Sequence, residues 1–132
     1  MNTVHAVVVD QSLDDGENLE VALMSLGVER VDYFSNAEMA KATFKTNRSA
    51  FSRRIIFIRD EPYFEASLFI RSIMSDPDFS SMFVILTTSK LSSTEILWAF
   101  RLGAVGHLQI PIETKKLAAI ISAAKFRRFR IA

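Results

Sequence analysis

Short apolar runs alternate along this chain with longer stretches in which apolar residues recur every three or four positions. Ala6-Val7-Val8-Val9 is too short for a helix and rich in β-branched residues, so it reads as a strand covered on both faces. Asp10 ends it. Over residues 14–26, Leu19, Ala22, Leu23 and Leu26 share one helical face, Asp14, Asp15 and Glu17 suit the positive N-terminal end, and Gly27 is a stop. Residues 28–34 hold a second, weaker strand. Ser35 or Asn36 then caps a helix through Met39, Ala40 and Phe44. Residues 49–54 read as a polar, basic connection.

Ile55-Ile56-Phe57-Ile58 is the most hydrophobic of the early strands. Glu61-Pro62 breaks it, and a helix comes next with Leu68, Phe69, Ile70 and Ile73 on its buried side, ended by Asp76-Pro77. Residues 82–86 form a fourth strand closed by Thr87-Thr88-Ser89. Ser92 and Glu95 stand at capping-box spacing before Ile96, Leu97, Phe100 and Leu102, and Gly103 ends that helix. Residues 105–109 give a short fifth strand, Ile110-Pro111 a turn, and Thr114 opens a last helix through Leu117, Ile120 and Ile121. Five strand–helix alternations with short connections predict an α/β fold, a parallel sheet with right-handed crossovers and helices on both faces. Ligands in such sheets sit at the carboxyl ends of the strands, which gathers Asp10, Arg59, Thr87 and the Gln109-Ile110-Pro111 turn around one crevice.

The chain has 132 residues, 49% of them apolar, enough for one core and one domain. A net charge of +1, mixed in sign along most of the length, argues against a nucleic-acid-binding surface over the main body. Lys125-Phe126-Arg127-Arg128-Phe129-Arg130 departs from that mixture. It reads as the basic end of a helix complementing its dipole, with contact to an anionic partner as the alternative. The domain is therefore placed at 1–124, with 125–132 the basic end of the last helix or the start of a linker. The absence of cysteine fits a reducing compartment. With no signal-peptide pattern over residues 1–5 and no apolar run of spanning length, a cytoplasmic location away from membrane is expected.

At these positions the chain resembles the receiver domain of bacterial two-component response regulators, the CheY-like fold, over essentially its whole length. The element order, Gly27 after the first helix, the Ser35-Asn36 turn, Gly103-Ala104 before the fifth strand and Pro111 after it stand where that family has them. The resemblance implies a (βα)5 fold with strand order 2-1-3-4-5. It also implies a phosphorylation pocket of two adjacent acids that bind magnesium, an acceptor aspartate, a switch hydroxyl and a lysine before the proline. Here Asp10 supplies the first acid, but Gln11 replaces the second, and an amide brings no charge to a hard cation. Arg59 comes after the third strand where the acceptor is expected, Thr87 keeps the hydroxyl, Ile110 replaces the lysine, and His107 takes the aromatic switch position. A guanidinium cannot accept a phosphoryl group. An alternative register puts Asp60 in the acceptor place and leaves Arg59 as the last strand residue.

The combined losses at Gln11, Arg59 and Ile110 imply a degenerate, phosphorylation-independent receiver without catalytic residues, magnesium or other cofactor, acting as an interaction or dimerisation module in signalling. Arg59 is expected either to lie against Asp10 and reach toward Thr87 in place of the metal, or to swing into water beside Asp60 or Glu61. Asp14, Asp15 and Glu17 are assigned to the helix dipole, and His5 and His107 are too few and too far apart for a metal site. Trp98 is off the stripe of Ile96, Phe100 and Gly103, so it projects toward solvent or folds over Arg101 or Leu102. In receivers the fourth helix, fifth strand and last helix form the usual docking surface. That surface makes Trp98, Arg101, His107 and Lys115 interface candidates for a protein partner or a second copy, with no nucleic acid bound by this domain and an output domain possible beyond it. The alternative is an active phospho-acceptor using Asp60 in a phosphorelay. A third option, a small anion or nucleotide held by Arg59, has no Gly-rich phosphate loop to support it.

Overall fold

The computed structural model describes residues 4–51, 53–61, 63–79, 81–90 and 92–126. Along the chain run β1 (His5–Val9), α1 (Leu13–Ser25), β2 (Arg30–Phe34), α2 (Ala37–Thr46), α3 (Arg48–Phe51), β3 (Ile55–Arg59), α4 (Tyr63–Met74), a 3-10 turn (Pro77–Phe79), β4 (Phe83–Thr88), α5 (Ser93–Leu102), β5 (Gly106–Gln109) and α6 (Thr114–Lys125). The strands form one parallel sheet, as the alternation predicts, in the order β2-β1-β3-β4-β5 that the resemblance implies. The order reverses between β1 and β3, so the crevice of this fold opens between Asp10 and the end of β3.

Each face of the sheet carries its own core because successive strand residues point to opposite sides. On one face Ile56, Ile58, Val84 and Leu86 pack under α2, α4 and α5, around Phe44. The Phe44 ring lies 4.8 Å from that of Phe51 and 5.8 Å from that of Phe79, so aromatic area dominates this side. On the other face Val8, Phe57 and Ile85 meet Leu19 and Leu23 of α1 and Leu117 of α6. Side chains cap three of the helices: Ser12 Oγ accepts from the Asp15 amide, Asn36 Oδ1 from Met39 and Ser92 Oγ from Glu95. Gly103 closes α5 at φ 123°, against Met74, where no Cβ would fit.

Three expectations are corrected. The connection at residues 49–54 is partly helical, as α3, and its last arginine is buried: Arg54 is 4% exposed. Arg54 pairs with the Asp32 carboxylate, donates from Nε to the Ala50 carbonyl at 2.9 Å and lies 4.3 Å from the centre of the Phe51 ring. Second, Leu68, placed by periodicity on the buried side of its helix, is exposed, as are Leu97 and Phe100 of α5. α4, on β3 between α2 and α5, and α5 seat only part of each helix on the core, Ala66, Phe69, Ile70 and Ile73 from one and Ala99 from the other. Third, β4 continues through Thr87 and Thr88, both buried, instead of ending before them.

Candidate functional site

The site is built where β1, β3 and β4 end. Val9 pairs with Ile58, and Arg59 with Thr87, so Asp10, Arg59 and Thr87 arrive side by side at one edge of the sheet. Asp10 is 3% exposed and held from several directions: its amide donates to the Phe34 carbonyl at 3.1 Å, and its Oδ1 accepts from the Ser12 amide at 2.8 Å. The Tyr33 hydroxyl donates to the Asp10 carbonyl at 2.5 Å. Burial, then the neighbouring charges of Asp10 and Glu17, push the Tyr33 phenol above its ordinary range, so it stays a donor.

Arg59 fills the space in front of these groups. Its Nη1 donates to Asp10 Oδ2 and to Asp15 Oδ2, each at 2.9 Å, and its side chain is 11% exposed. Burial works against the Arg59 charge, but the hydrogen bond to Asp15 and the charge of Asp10 outweigh it and hold the guanidinium above its usual range. Asp15, assigned from sequence to the helix dipole alone, is thus a second partner. The signal for it was its spacing: Asp15 lies one turn into a helix whose cap, Ser12, stands just beyond the crevice. The bonds of the guanidinium run to these two acids and not to the Thr87 hydroxyl.

Alternation along the chain sends the next residue the other way. Asp60, 3% exposed, follows the strand with its amide donating to the Thr87 carbonyl at 2.9 Å; burial first, and then the charge of Asp60, hold the Glu95 carboxyl of α5 above its ordinary range. Its Oδ1 and the Arg59 Nε lie 3.9 Å apart, and each lacks a hydrogen-bond partner. Of the other sequence candidates, Gln11 is exposed at the mouth, and Ile110 is half-buried before a cis peptide to Pro111, its amide bonded to the Thr88 carbonyl. Thr87 is buried within β4.

The donor set does not fit magnesium. Asp10 Oδ2 is engaged by the Arg59 guanidinium, Gln11 contributes no charge, and no group of three acid or histidine side chains able to hold a metal occurs among the described residues. The remaining crevice, bordered by Asp10, Gln11, Asn36, Arg59 and Glu61, has a volume of about 30 Å3.

A second candidate surface lies on α5, β5 and α6. Trp98 is 50% exposed with the Arg101 guanidinium 5.1 Å from its ring centre, so it both projects to solvent and carries the arginine. Leu97 and Phe100 of α5 are exposed too; Phe100, two residues on, is on another side of the helix from Trp98, and its ring lies 6.2 Å from that of His107 on the edge strand β5. Lys115 is exposed in the first turn of α6. Residues 127–132, with most of the basic terminal segment, lie outside the described residues.

Solved structures superpose on this frame. A response regulator from Thermotoga maritima matches at TM-score 0.80 and 19% identity, over 94% of this chain and 98% of that one. The chain has the CheY-like receiver fold. The chemotaxis response regulator CheY4 of Vibrio cholerae matches at 0.77 and 16%, over 92% and 98% of the two chains. An atypical orphan response regulator, described as having a phosphorylation-independent regulatory mechanism, matches at 0.75 and 20%, over 96% and 98%. No family model matches the sequence, and no curated protein does. At these identities the receiver likeness is one of fold, and function has to be argued from the site. Among the described residues, no helix of this receiver fold is long and apolar enough to cross a membrane.

Proposed function

We propose that this chain is a phosphorylation-independent receiver module of signal transduction, a non-enzymatic protein that binds a protein partner or a second copy of itself through the face of α5, β5 and α6. The observation that carries this reading is the Arg59 guanidinium between Asp10 and Asp15, in the space where receiver chemistry needs a metal and an acceptor. An internal cation neutralises the same acids that a metal would, so the crevice is stable without magnesium. Ile110 replaces the lysine before Pro111, so nothing cationic stands at that position for a phosphoryl oxygen. The α5, β5 and α6 surface offers exposed side chains of the kind that anchor docking, an aromatic, Trp98, carrying Arg101, with His107 and Lys115 exposed on the neighbouring elements. No nucleic-acid or membrane contact is assigned to this module, and an output domain connected through the basic end of α6 is compatible with it.

The test is incubation with a small phosphodonor and magnesium, with intact mass as the readout. No gain of a phosphoryl group is expected. A gain that disappears in Asp60→Ala would overturn the proposal in favour of a phosphorelay acceptor, although Asp60 is only 3% exposed.

A further inference from the structure

α2 and α4 lie side by side on one face of the sheet, and between them runs an open groove of about 440 Å3. Its apolar floor is Ala37, Leu68 and Phe69, and Leu68, expected on the buried side of its helix, is 47% exposed here. Glu38 and Lys41 of α2 and Glu65 of α4 complete the lining, two acids against one base. Acids in the first turn suit a helix dipole. These two also border one open groove, and among the described residues neither is in an ion pair. The groove continues into the mouth of the crevice, where Glu61 adds a third acid. Arg59 does not offset them, because Asp10 and Asp15 already match its charge.

An apolar floor with an acidic rim suits a chain segment that carries aromatic side chains between cations. The run at 125–130 has that composition. Lys125 and Phe126 are exposed at the end of α6, and the sequence continues as Arg127-Arg128-Phe129-Arg130, outside the described residues. This run cannot fill the groove of its own copy. α6 packs with α1 on the opposite face of the sheet, and it leads from the carboxyl ends of the strands, where α2 and α4 begin, back to their amino ends. Six residues reach about 20 Å when fully extended. The 12-residue helix that separates the two ends is itself about 18 Å long, and the path must also pass around the sheet. The α5, β5 and α6 surface suits the run poorly, since Arg101 and Lys115 there have the same sign of charge. We propose that the groove between α2 and α4 receives the basic, aromatic run at 125–130 of a second copy, with phenylalanine on the floor of Leu68 and Phe69 and cations against Glu38 and Glu65. Such a contact pairs two different surfaces, so it joins copies head to tail and not about a twofold axis. It leaves the α5 face unoccupied and stands independently of the function proposed for that face.

The test uses the full chain and a labelled peptide of residues 123–130. Fluorescence anisotropy measures peptide binding, amide NMR shifts of the chain locate it, and light scattering at low and high salt reads self-association. Shifts are expected at residues 36–41 and 65–69, with self-association at low salt that high salt reverses. Glu38→Lys combined with Glu65→Lys should weaken peptide binding about tenfold, the effect of losing two exposed ion pairs, and self-association should weaken with it. Circular dichroism verifies that this variant is folded. A peptide carrying Phe126→Ser and Phe129→Ser probes the apolar floor without touching the fold, and it too should bind more weakly. Glu17→Lys on α1 and Trp98→Ala on α5 should leave peptide binding unchanged. Three results each overturn the proposal: shifts centred on α1 or α5, peptide binding that survives the groove variant, or a parent chain that stays monomeric at low salt at concentrations that saturate the peptide.

Discussion

The ring of Tyr33 lies so close over Gly16 that a Cβ on that glycine would stand 2.3 Å from the ring's Cε1. The same ring sends its hydroxyl to the Asp10 carbonyl, so a missing side chain on α1 lets β2 brace the crevice. Gly16→Ala is expected to displace the ring and destabilise the fold by about 1–3 kcal/mol, the usual range for overpacking. Urea denaturation of Gly16→Ala beside Tyr33→Phe checks the cause. If the alanine variant loses no more than Tyr33→Phe, which removes only the hydroxyl, the steric account is wrong.

Removing Arg59 tests the crevice. Arg59→Met leaves Asp10 buried beside Asp15 with no counter-charge, and the expected loss is roughly 3 kcal/mol. Asp10→Asn in the same chain should recover part of it, because an amide oxygen still accepts from Ser12 while the stranded charge is gone. Denaturant midpoints at constant slope measure both effects. Equal stability of the parent and Arg59→Met would mean that the ion pairs contribute nothing.

The fold was legible because its strands are runs such as Ile55-Ile56-Phe57-Ile58, whose β-branched and aromatic residues have one good use at that length. The site was legible only where neighbours in sequence mattered. Asp15 is an ordinary acid for the first turn of a helix, and what makes it a partner is the approach of Arg59 from 44 residues away. Arg54 is the harder case, since a charge in a polar stretch reads as solvated, and only Asp32 on β2 and the Phe51 ring make its burial tolerable. The exposure of Leu97 and Phe100 was hidden for another reason: periodicity gives the direction of an apolar stripe, not how much of it the sheet covers.

Arg48 joins α3 to the turn after α4, its Nη1 2.8 Å from both Asp76 Oδ2 and Asp78 Oδ2. The bond from Arg48, with one from the Asp78 amide, holds the Asp76 carboxyl below its usual 3.8. Its folded value is depressed, so its contribution to stability is present above 3.8 and is lost as pH falls through the lower folded value. NMR titration of Asp76 should show the depression in the parent, and Arg48→Ala should lessen it.

Trp98→Ala removes half-exposed surface and releases the Arg101 guanidinium from its ring. Unfolding free energy should change by no more than about 0.5 kcal/mol, as for other surface substitutions. Any self-association seen by light scattering in the parent should weaken. A large loss of stability would instead make Trp98 part of the fold's support.

A bound metal dissociates and a phosphoryl group hydrolyses, so a pocket that depends on them carries a clock. Arg59 is tied to its acids by the chain itself and is ionised at every pH at which the protein is folded. No chelator can withdraw it and no phosphatase can erase it. In the phosphate-independent receiver proposed above, the state of such a crevice has no lifetime of its own, and timing comes from how long partners stay and how often the chain is made.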